Sequence, residues 1–171
     1  VLSRYFDKDM INSFQNQLQT KQINFYPNEF LIDWKKSEEK VVSVQLLSQT
    51  IKADMVIFSA QTRPNTTLLK EKVALYEDET VIVNEYLQTS DPDIYAIGDI
   101  VPVSFDKNKR HLFLPLVTRA VHMARAVALT LSGQPTAYDL RQKITAAVII
   151  DYFLGTVGLT EDEALFLEQN T

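Results

Sequence analysis

The segment from Thr89 to Asp99 constrains the fold of this chain more than any other. Turn-forming residues, Thr89–Asp93, precede an apolar run, Ile94–Ile97, that indicates a buried strand ending in Gly98-Asp99. Ligands of open α/β sheets bind at such strand ends. Gly98 lets a ligand approach the backbone, and an ionised Asp99 carboxylate accepts hydrogen bonds from hydroxyl groups of a polyol. The alternative is an ordinary strand followed by a Gly-Asp turn.

A long helix is predicted after this segment. Pro115 suits its first position, and Gly133 and Pro135 suit its end. Leu114 cannot cap the helix, so its first N–H groups need another acceptor, either water or a ligand with partial negative charge. These groups belong to Leu116, Val117 and Thr118. The reduced isoalloxazine ring of a flavin, with its charge near N1 and O2, is such a ligand. The predicted apolar face comprises Val117, Ala120, Val121, Ala124, Ala128 and Leu131.

The remaining patterns indicate further helices and strands, and the predicted fold class is α/β. Helical spacing of apolar residues predicts a helix over residues 8–20, and Thr160–Glu163 is a capping-box pattern that opens another. Met55–Ala60 is apolar without alternation, as in a strand covered on both faces. The other predicted strands are Ile23–Tyr26, Glu29–Trp34, Val41–Leu47 (after a hairpin turn at Lys35–Lys40), Val81–Val83 and Ile144–Phe153.

Composition excludes several classes of site within these residues. There is no cysteine, and none of the four glycines has the spacing of a G-x-G-x-x-G or Walker A loop. A net charge of −5 argues against a nucleic-acid surface, and no apolar run is long enough for a membrane span. The two histidines, His111 and His122, are not accompanied by other residues in a metal-ligand pattern, so no metal site is assigned. No catalytic residue is assigned either. Because the chain begins with Val1, we expect it to be part of a longer protein.

Five segments, in order, resemble the pyridine nucleotide–disulfide oxidoreductases. TSDPDIYAIGD resembles the T-x-x-P-x-I-Y-A-x-G-D segment, whose Asp binds the flavin ribityl chain, and LPLVTRAVHMARAVALTLSG resembles the helix that follows it. ADMVIFSAQTRPNTTLL resembles the strand and loop closing the NAD domain, and RYFDKDMINSFQNQLQTKQI resembles the helix after the ribose-binding acid. GTVGLTEDEA resembles a stretch early in the dimerisation domain. The nearest branch contains NADH oxidases, NADH peroxidases and coenzyme A-disulfide reductases.

The resemblance implies part of a two-dinucleotide-binding-domain (FAD/NAD(P)) fold followed by the start of an α+β dimerisation domain. Residues 1–75 would end the NAD(P)-binding domain, 76–134 would be the returning FAD-binding segment, and 135–171 would begin the dimerisation domain. The implied cofactors are FAD and NAD(P)H. Hydride would pass from NAD(P)H to FAD, and electrons would go on to oxygen, peroxide or a disulfide. The implied enzyme is a cytoplasmic homodimer with a small-molecule electron acceptor.

The resemblance also assigns residues to the two cofactors. The FAD side comprises Gly98, Asp99, Leu116, Val117 and Thr118, and the NAD(P) side comprises Gln61, Arg63 and Pro115. The isolated chain is expected to be inactive, since the family's redox cysteine and both glycine fingerprints would lie upstream.

Gln61 departs from the family pattern, which has glycine there. Its side chain would obstruct close approach of a dinucleotide. This departure supports the alternative hypothesis of a non-catalytic assembly or regulatory module that keeps the fold after losing NAD or flavin binding.

Overall fold

A computed structural model describes residues 5–59, 62–105 and 111–169 of the chain. Both helices and strands occur along these ranges. The elements are α1 (Lys8–Thr20), β1 (Leu31–Ser37), β2 (Lys40–Leu46), β3 (Thr50–Lys52), β4 (Val103–Ser104), β5 (His111–Leu112), α2 (Val117–Leu131), β6 (Ile144–Ile149), β7 (Tyr152–Val157) and α3 (Glu161–Gln169). The chain divides into two compact units, a smaller one of Asn12–Thr62 and a larger one of Val1–Ile11 with Arg63–Thr171. The three domain boundaries drawn from the sequence stay predictions.

Helix α1 spans the predicted residues, 8–20. Its end is a backbone turn in which Ile23 N–H donates to the Leu18 carbonyl at 3.1 Å and Gln22 takes a positive φ of 59°. The predicted strand at Ile23–Tyr26 is wrong, because this turn redirects the chain and no strand in the described ranges pairs with the segment.

Strands β1, β2 and β3 form an antiparallel sheet in the smaller unit. The hairpin predicted at Lys35–Lys40 is confirmed, but its turn is tighter, since Ser37 pairs with Lys40. Glu38 and Glu39 make the turn with φ of 49° and 67°. Two successive positive φ angles are typical of the turn type that matches the twist of a hairpin.

The predicted buried strand at Met55–Ala60 is wrong over its described part, residues 55–59, which have no regular structure. Met55, Ile57 and Phe58 are 76%, 84% and 75% exposed. A strand covered on both faces needs paired neighbours and covering layers. None of the described strands pairs with this segment, so its apolar residues do not take part in a sheet.

The core of the larger unit lies between α2 and the segments before it. The strands predicted at Val81–Val83 and Ile94–Ile97 are reduced to one bridge each, Leu75 to Val81 and Gln88 to Tyr95. Val81 N–H also donates to the carbonyl of Ile100, in the turn that follows Ile94–Ile97, at 2.8 Å. The buried core comprises Val73, Val81, Leu87, Ala96, Val101, Met123, Ala126, Val127 and Tyr138.

The last part of the larger unit is a hairpin followed by α3. A single strand at Ile144–Phe153 is wrong, because Ile150 turns the chain with φ of 58° and β7 pairs back on β6. The capping box is confirmed: Thr160 N–H donates to Glu163 Oε2 at 2.9 Å, and Glu163 N–H donates to Thr160 Oγ1 at 3.3 Å. Within the described residues, no helix is both long and apolar enough to cross a membrane.

Candidate functional site

Gly98 and Asp99 lie in a 3₁₀ turn, Gly98–Ile100, that packs against α2. Gly98 has a φ of +79°, which side-chain-bearing residues rarely adopt, so glycine suits the turn for conformational reasons. Its N–H donates to Met123 Sδ at 3.3 Å, and a Cβ at Gly98 would lie 3.7 Å from that of Ala120. The backbone of the turn is therefore in direct contact with the first half of α2.

The Asp99 carboxylate is exposed at this turn. No described side chain or backbone N–H donates to the Asp99 carboxylate, although Arg119 lies close enough for an electrostatic attraction. An ionised carboxylate in this state has acceptor capacity for ligand hydroxyl groups.

Helix α2 begins at Val117, with Leu116 as its extended N-cap residue at φ −141° and ψ 120°. The absence of a side-chain cap is confirmed, but Pro115 lies before the N-cap instead of at the first helical position. The first intrahelical bond runs from Ala120 N–H to the Leu116 carbonyl at 3.2 Å. The N–H groups of the first turn that have no intrahelical acceptor are therefore those of Val117, Thr118 and Arg119. The prediction of Leu116, Val117 and Thr118 is thus wrong by one residue, because Leu116 is the N-cap and not the first helical residue. The Thr118 hydroxyl donates to the Ile144 carbonyl at 3.4 Å instead of capping the helix.

The predicted apolar face of α2 is wrong. Val117, Val121 and Leu131 are 80%, 45% and 66% exposed, whereas the buried residues are Arg119, Met123, Ala126 and Val127. The packing of the Gly98 turn against Met123, together with the bonds of Arg119, sets the rotation of the helix. One result is that the apolar side chain of Val117 protrudes at the uncapped helix start.

Arg119 is the main residue that sequence reasoning missed, because its type indicates a solvent-facing position or a domain contact. It is 3% exposed, and its guanidinium donates from Nη1 to the Val101 carbonyl at 3.3 Å and from Nη2 to the Pro102 carbonyl at 3.0 Å. Its spacing from Met123, Ala126 and Val127 is that of one helix face, which is the signal that would have indicated burial. Burial lowers the pKa of Arg119, and neighbouring Tyr138 and Asp99 oppose that shift.

The residues assigned to the NAD(P) side are not brought together by any described contact. Arg63 is exposed in a loop and Pro115 is half-buried before α2. Gln61 lies outside the described residues. Their assignment stays a prediction.

The described histidines have surroundings typical of structural or surface roles. His111 stacks on Tyr76 with ring centroids 3.8 Å apart, and its Nε2 lies 3.4 Å from Asp78 Oδ1. His122 is exposed on α2. Across the described ranges, no group of three or more His, Cys, Asp or Glu residues is placed to hold a metal ion.

Comparison with known proteins identifies the family and supports the α/β class predicted from the sequence. The model of the family described as "Pyridine nucleotide-disulphide oxidoreductase" matches residues 1–126. The chain belongs to this family. The match includes the Gly98–Asp99 turn and most of α2, so the family resemblance is confirmed. The fifth segment, Gly155–Ala164, lies beyond the match, and the start of a dimerisation domain there stays a prediction.

Two curated relatives and one solved structure illustrate the similarity. A NADH oxidase of Enterococcus faecalis is 34% identical over 165 residues, which are 96% of this chain and 37% of the relative. A "NAD(P)H coenzyme A polysulfide/persulfide reductase" of Pyrococcus horikoshii is 28% identical, again over 96% of this chain and 37% of the relative. The structure of a FAD-dependent family member from Desulfovibrio vulgaris superposes with a TM-score of 0.84 at 25% identity, covering 95% of this chain and 41% of that one. The chain thus spans well under half the length of these proteins.

Proposed function

We propose that this chain supplies the returning part of an FAD site in an NAD(P)H-dependent flavoenzyme. The observation that carries the proposal is the contact between the Gly98–Asp99 turn and the first half of α2, whose start is uncapped. Helix α2 thus packs against the turn that carries the Asp99 carboxylate, which can still accept hydrogen bonds, and its own first N–H groups have no cap.

Each part of this arrangement fits a different part of FAD. The Asp99 carboxylate would accept hydrogen bonds from hydroxyl groups of the ribityl chain. The N–H groups of Val117 and Thr118, with the positive end of the helix dipole, would hold the edge of the ring system that gains negative charge on reduction. The protruding Val117 side chain, 80% exposed, would be covered by the ring. FAD supplies, when bound, the two-electron chemistry that accepts a hydride from NAD(P)H.

The relatives support the same class of reaction. The Enterococcus faecalis relative is a NADH oxidase and the Pyrococcus horikoshii relative is a NAD(P)H-dependent reductase of coenzyme A polysulfide or persulfide. We therefore propose oxygen, peroxide or a disulfide-type sulfur compound as the electron acceptor. On the NAD(P) side, Gln61, Arg63 and Pro115 are the residues proposed to lie near the nicotinamide nucleotide.

The FAD proposal is tested in the full-length protein, meaning the complete polypeptide to which these residues belong. Asp99→Ala should weaken FAD binding by roughly 100-fold, because two charge-assisted hydrogen bonds are lost. Asp93→Ala is the matched control, since Asp93 is an exposed acid at the turn just before the same segment. Titration of the apo-protein with FAD, followed by flavin fluorescence, measures both dissociation constants. Equal affinity in the two variants would contradict the proposal.

The isolated chain is proposed to have no turnover, and NADH oxidation by the purified 171 residues tests this point. Sustained activity above that of free flavin would contradict it. The alternative of a non-catalytic module predicts instead that the full-length protein shows no flavin absorption bands.

A homodimeric, cytoplasmic protein is part of the same proposal. The support for a homodimer is the exposed face of the β6–β7 hairpin, where Val148 and Phe153 pair and are 63% and 80% exposed. Light scattering of the full-length protein checks the oligomeric state, and a monomer at micromolar concentration would contradict a stable dimer.

A further inference from the structure

Arg119 is a buried cation that donates to two backbone carbonyl groups and also interacts with the side chain of Tyr138. Its guanidinium binds the carbonyls of Val101 and Pro102, the two residues that follow the 3₁₀ turn carrying Asp99. Its Nε has no hydrogen-bond partner among the described residues. Burial of a charged group whose donors are not all paired disfavours folding, so a hydrophobic residue would stabilise the fold more at this position.

The two bonds of Arg119 complete a set of contacts that fixes the turn at both ends. Gly98 N–H donates to Met123 Sδ at 3.3 Å before Asp99, and the carbonyls of Val101 and Pro102 accept from Arg119 after it. Met123 and Arg119 are one helical turn apart on the same buried face of α2. The residue between these contacts, Asp99, is thereby held at one distance from the start of α2.

Charge connects the same residues. The Asp99 carboxylate is one of the groups that oppose the lowering of the Arg119 pKa by burial. The guanidinium, which stays protonated in proteins, attracts the Asp99 carboxylate. The carboxylate nevertheless remains exposed, so the attraction does not consume its acceptor capacity.

We propose that Arg119 is a positioning residue for flavin, which acts by holding the Asp99 carboxylate at a set distance from the uncapped start of α2. This inference rests on the proposed function. It deepens that function by adding a buried residue that does not itself contact the cofactor.

A double-mutant cycle on FAD affinity in the full-length protein tests the inference. Arg119→Met keeps the apolar stem and removes both hydrogen bonds and the charge. We expect it to raise the FAD dissociation constant about tenfold in the wild-type background but less than about twofold when Asp99→Ala is also present. A merely structural role predicts the same factor in both backgrounds, because the two effects would then be independent.

Arg125→Met is the matched control, since Arg125 is an exposed arginine on the same helix, and it should change affinity less than about twofold. If Arg119→Met does not fold, as judged by circular dichroism, the cycle is repeated with Arg119→Lys. The lysine retains the charge and one bond, so about a threefold loss is expected, again only when Asp99 is present.

The outcomes separate this inference from the function on which it rests. If the unsubstituted protein did not bind FAD, both the proposed function and the inference would be overturned. FAD binding with equal Arg119 effects in both backgrounds, or with no Arg119 effect at all, would overturn the inference alone.

Discussion

Lys143 and Glu163 form an ion pair in which the lysine side chain is 1% exposed. The carboxylate of Glu163 also accepts the N–H of Thr160 at the start of α3. One acid therefore neutralises a buried cation and caps a helix. This pair joins the β6–β7 hairpin to α3.

Glu163→Gln should lower the free energy of unfolding by about 3 kcal/mol, because it leaves Lys143 buried without a counter-charge while keeping an acceptor for Thr160. Glu161→Gln is the control, as Glu161 is exposed at the start of the same helix. Denaturant unfolding of the full-length protein measures the difference. If Lys143→Met combined with Glu163→Gln were no more stable than Glu163→Gln alone, the buried charge would not be the cause.

Gly98→Ala should destabilise the protein by about 1 kcal/mol, because alanine must adopt the φ of +79°. A steric clash contributes nothing, since the new Cβ would lie at an ordinary 3.7 Å from that of Ala120. Gly155→Ala is the matched control, because Gly155 has no positive φ and no described atom lies within 4 Å of the position that its Cβ would take. Thermal unfolding compares the two variants, and equal shifts would contradict the conformational argument.

We expect the Asp78 carboxyl to make the stability of the protein depend on pH. Burial favours its neutral form, but hydrogen bonds from the Thr80 hydroxyl and N–H and the neighbouring His111 outweigh burial and lower the pKa of the Asp78 carboxyl. A lowered folded-state pKa contributes stability that is present above the unfolded value, about 3.9, and is lost as pH falls through the folded value.

Asp78→Asn should therefore reduce stability at pH 7, and the difference from wild type should shrink below about pH 4. The effect at pH 7 should be about 0.5 kcal/mol, since the Asp78 side chain is 39% exposed and solvent screens its charge. Melting temperatures between pH 3 and pH 7 measure it, with Glu77→Gln, an exposed neighbour, as the control. A difference that grows on acidification would have the wrong sign.

The hairpin turn of the smaller unit offers a stabilising change. Glu38 and Glu39 both have positive φ, which an asparagine followed by a glycine adopts at lower cost. The double substitution Glu38→Asn with Glu39→Gly should raise stability by about 1 kcal/mol.

Hydrogen exchange of the β1 and β2 amides measures this gain locally. Glu38→Gln with Glu39→Gln is the control, because it removes both charges and keeps the conformational cost. An equal gain in the control would show that charge repulsion, and not backbone conformation, is relieved.

Local signals in the sequence predict the features that depend on neighbouring residues. The extent of α1, the Thr160–Glu163 capping box and the helix stop at Gly133 are all confirmed. In the last of these, Gln134 N–H donates to the Leu129 carbonyl at 2.9 Å around a glycine with φ of +88°. Each of these features is formed by residues within about two helical turns, so local sequence suffices.

Features that depend on distant partners are predicted less well. An apolar run is compatible with a strand, a hairpin or an exposed segment. Ile144–Phe153 forms a hairpin, and residues 55–59 form an exposed segment. The strand pairing that decides between them comes from residues elsewhere in the chain. The residues proposed for FAD were selected through the family resemblance, and they stay a prediction.

The amino-acid sequence alone is enough to establish the family, the Gly98-Asp99 segment and the absence of a capping side chain before α2. It does not establish which face of α2 is buried, and the burial of Arg119 against the carbonyls of Val101 and Pro102 follows from that choice. The physical reason is that a polar side chain is buried only where folding places acceptors for it. The carbonyl acceptors of Val101 and Pro102 are backbone groups, which every residue carries, so the sequence does not indicate which of them will bind Arg119.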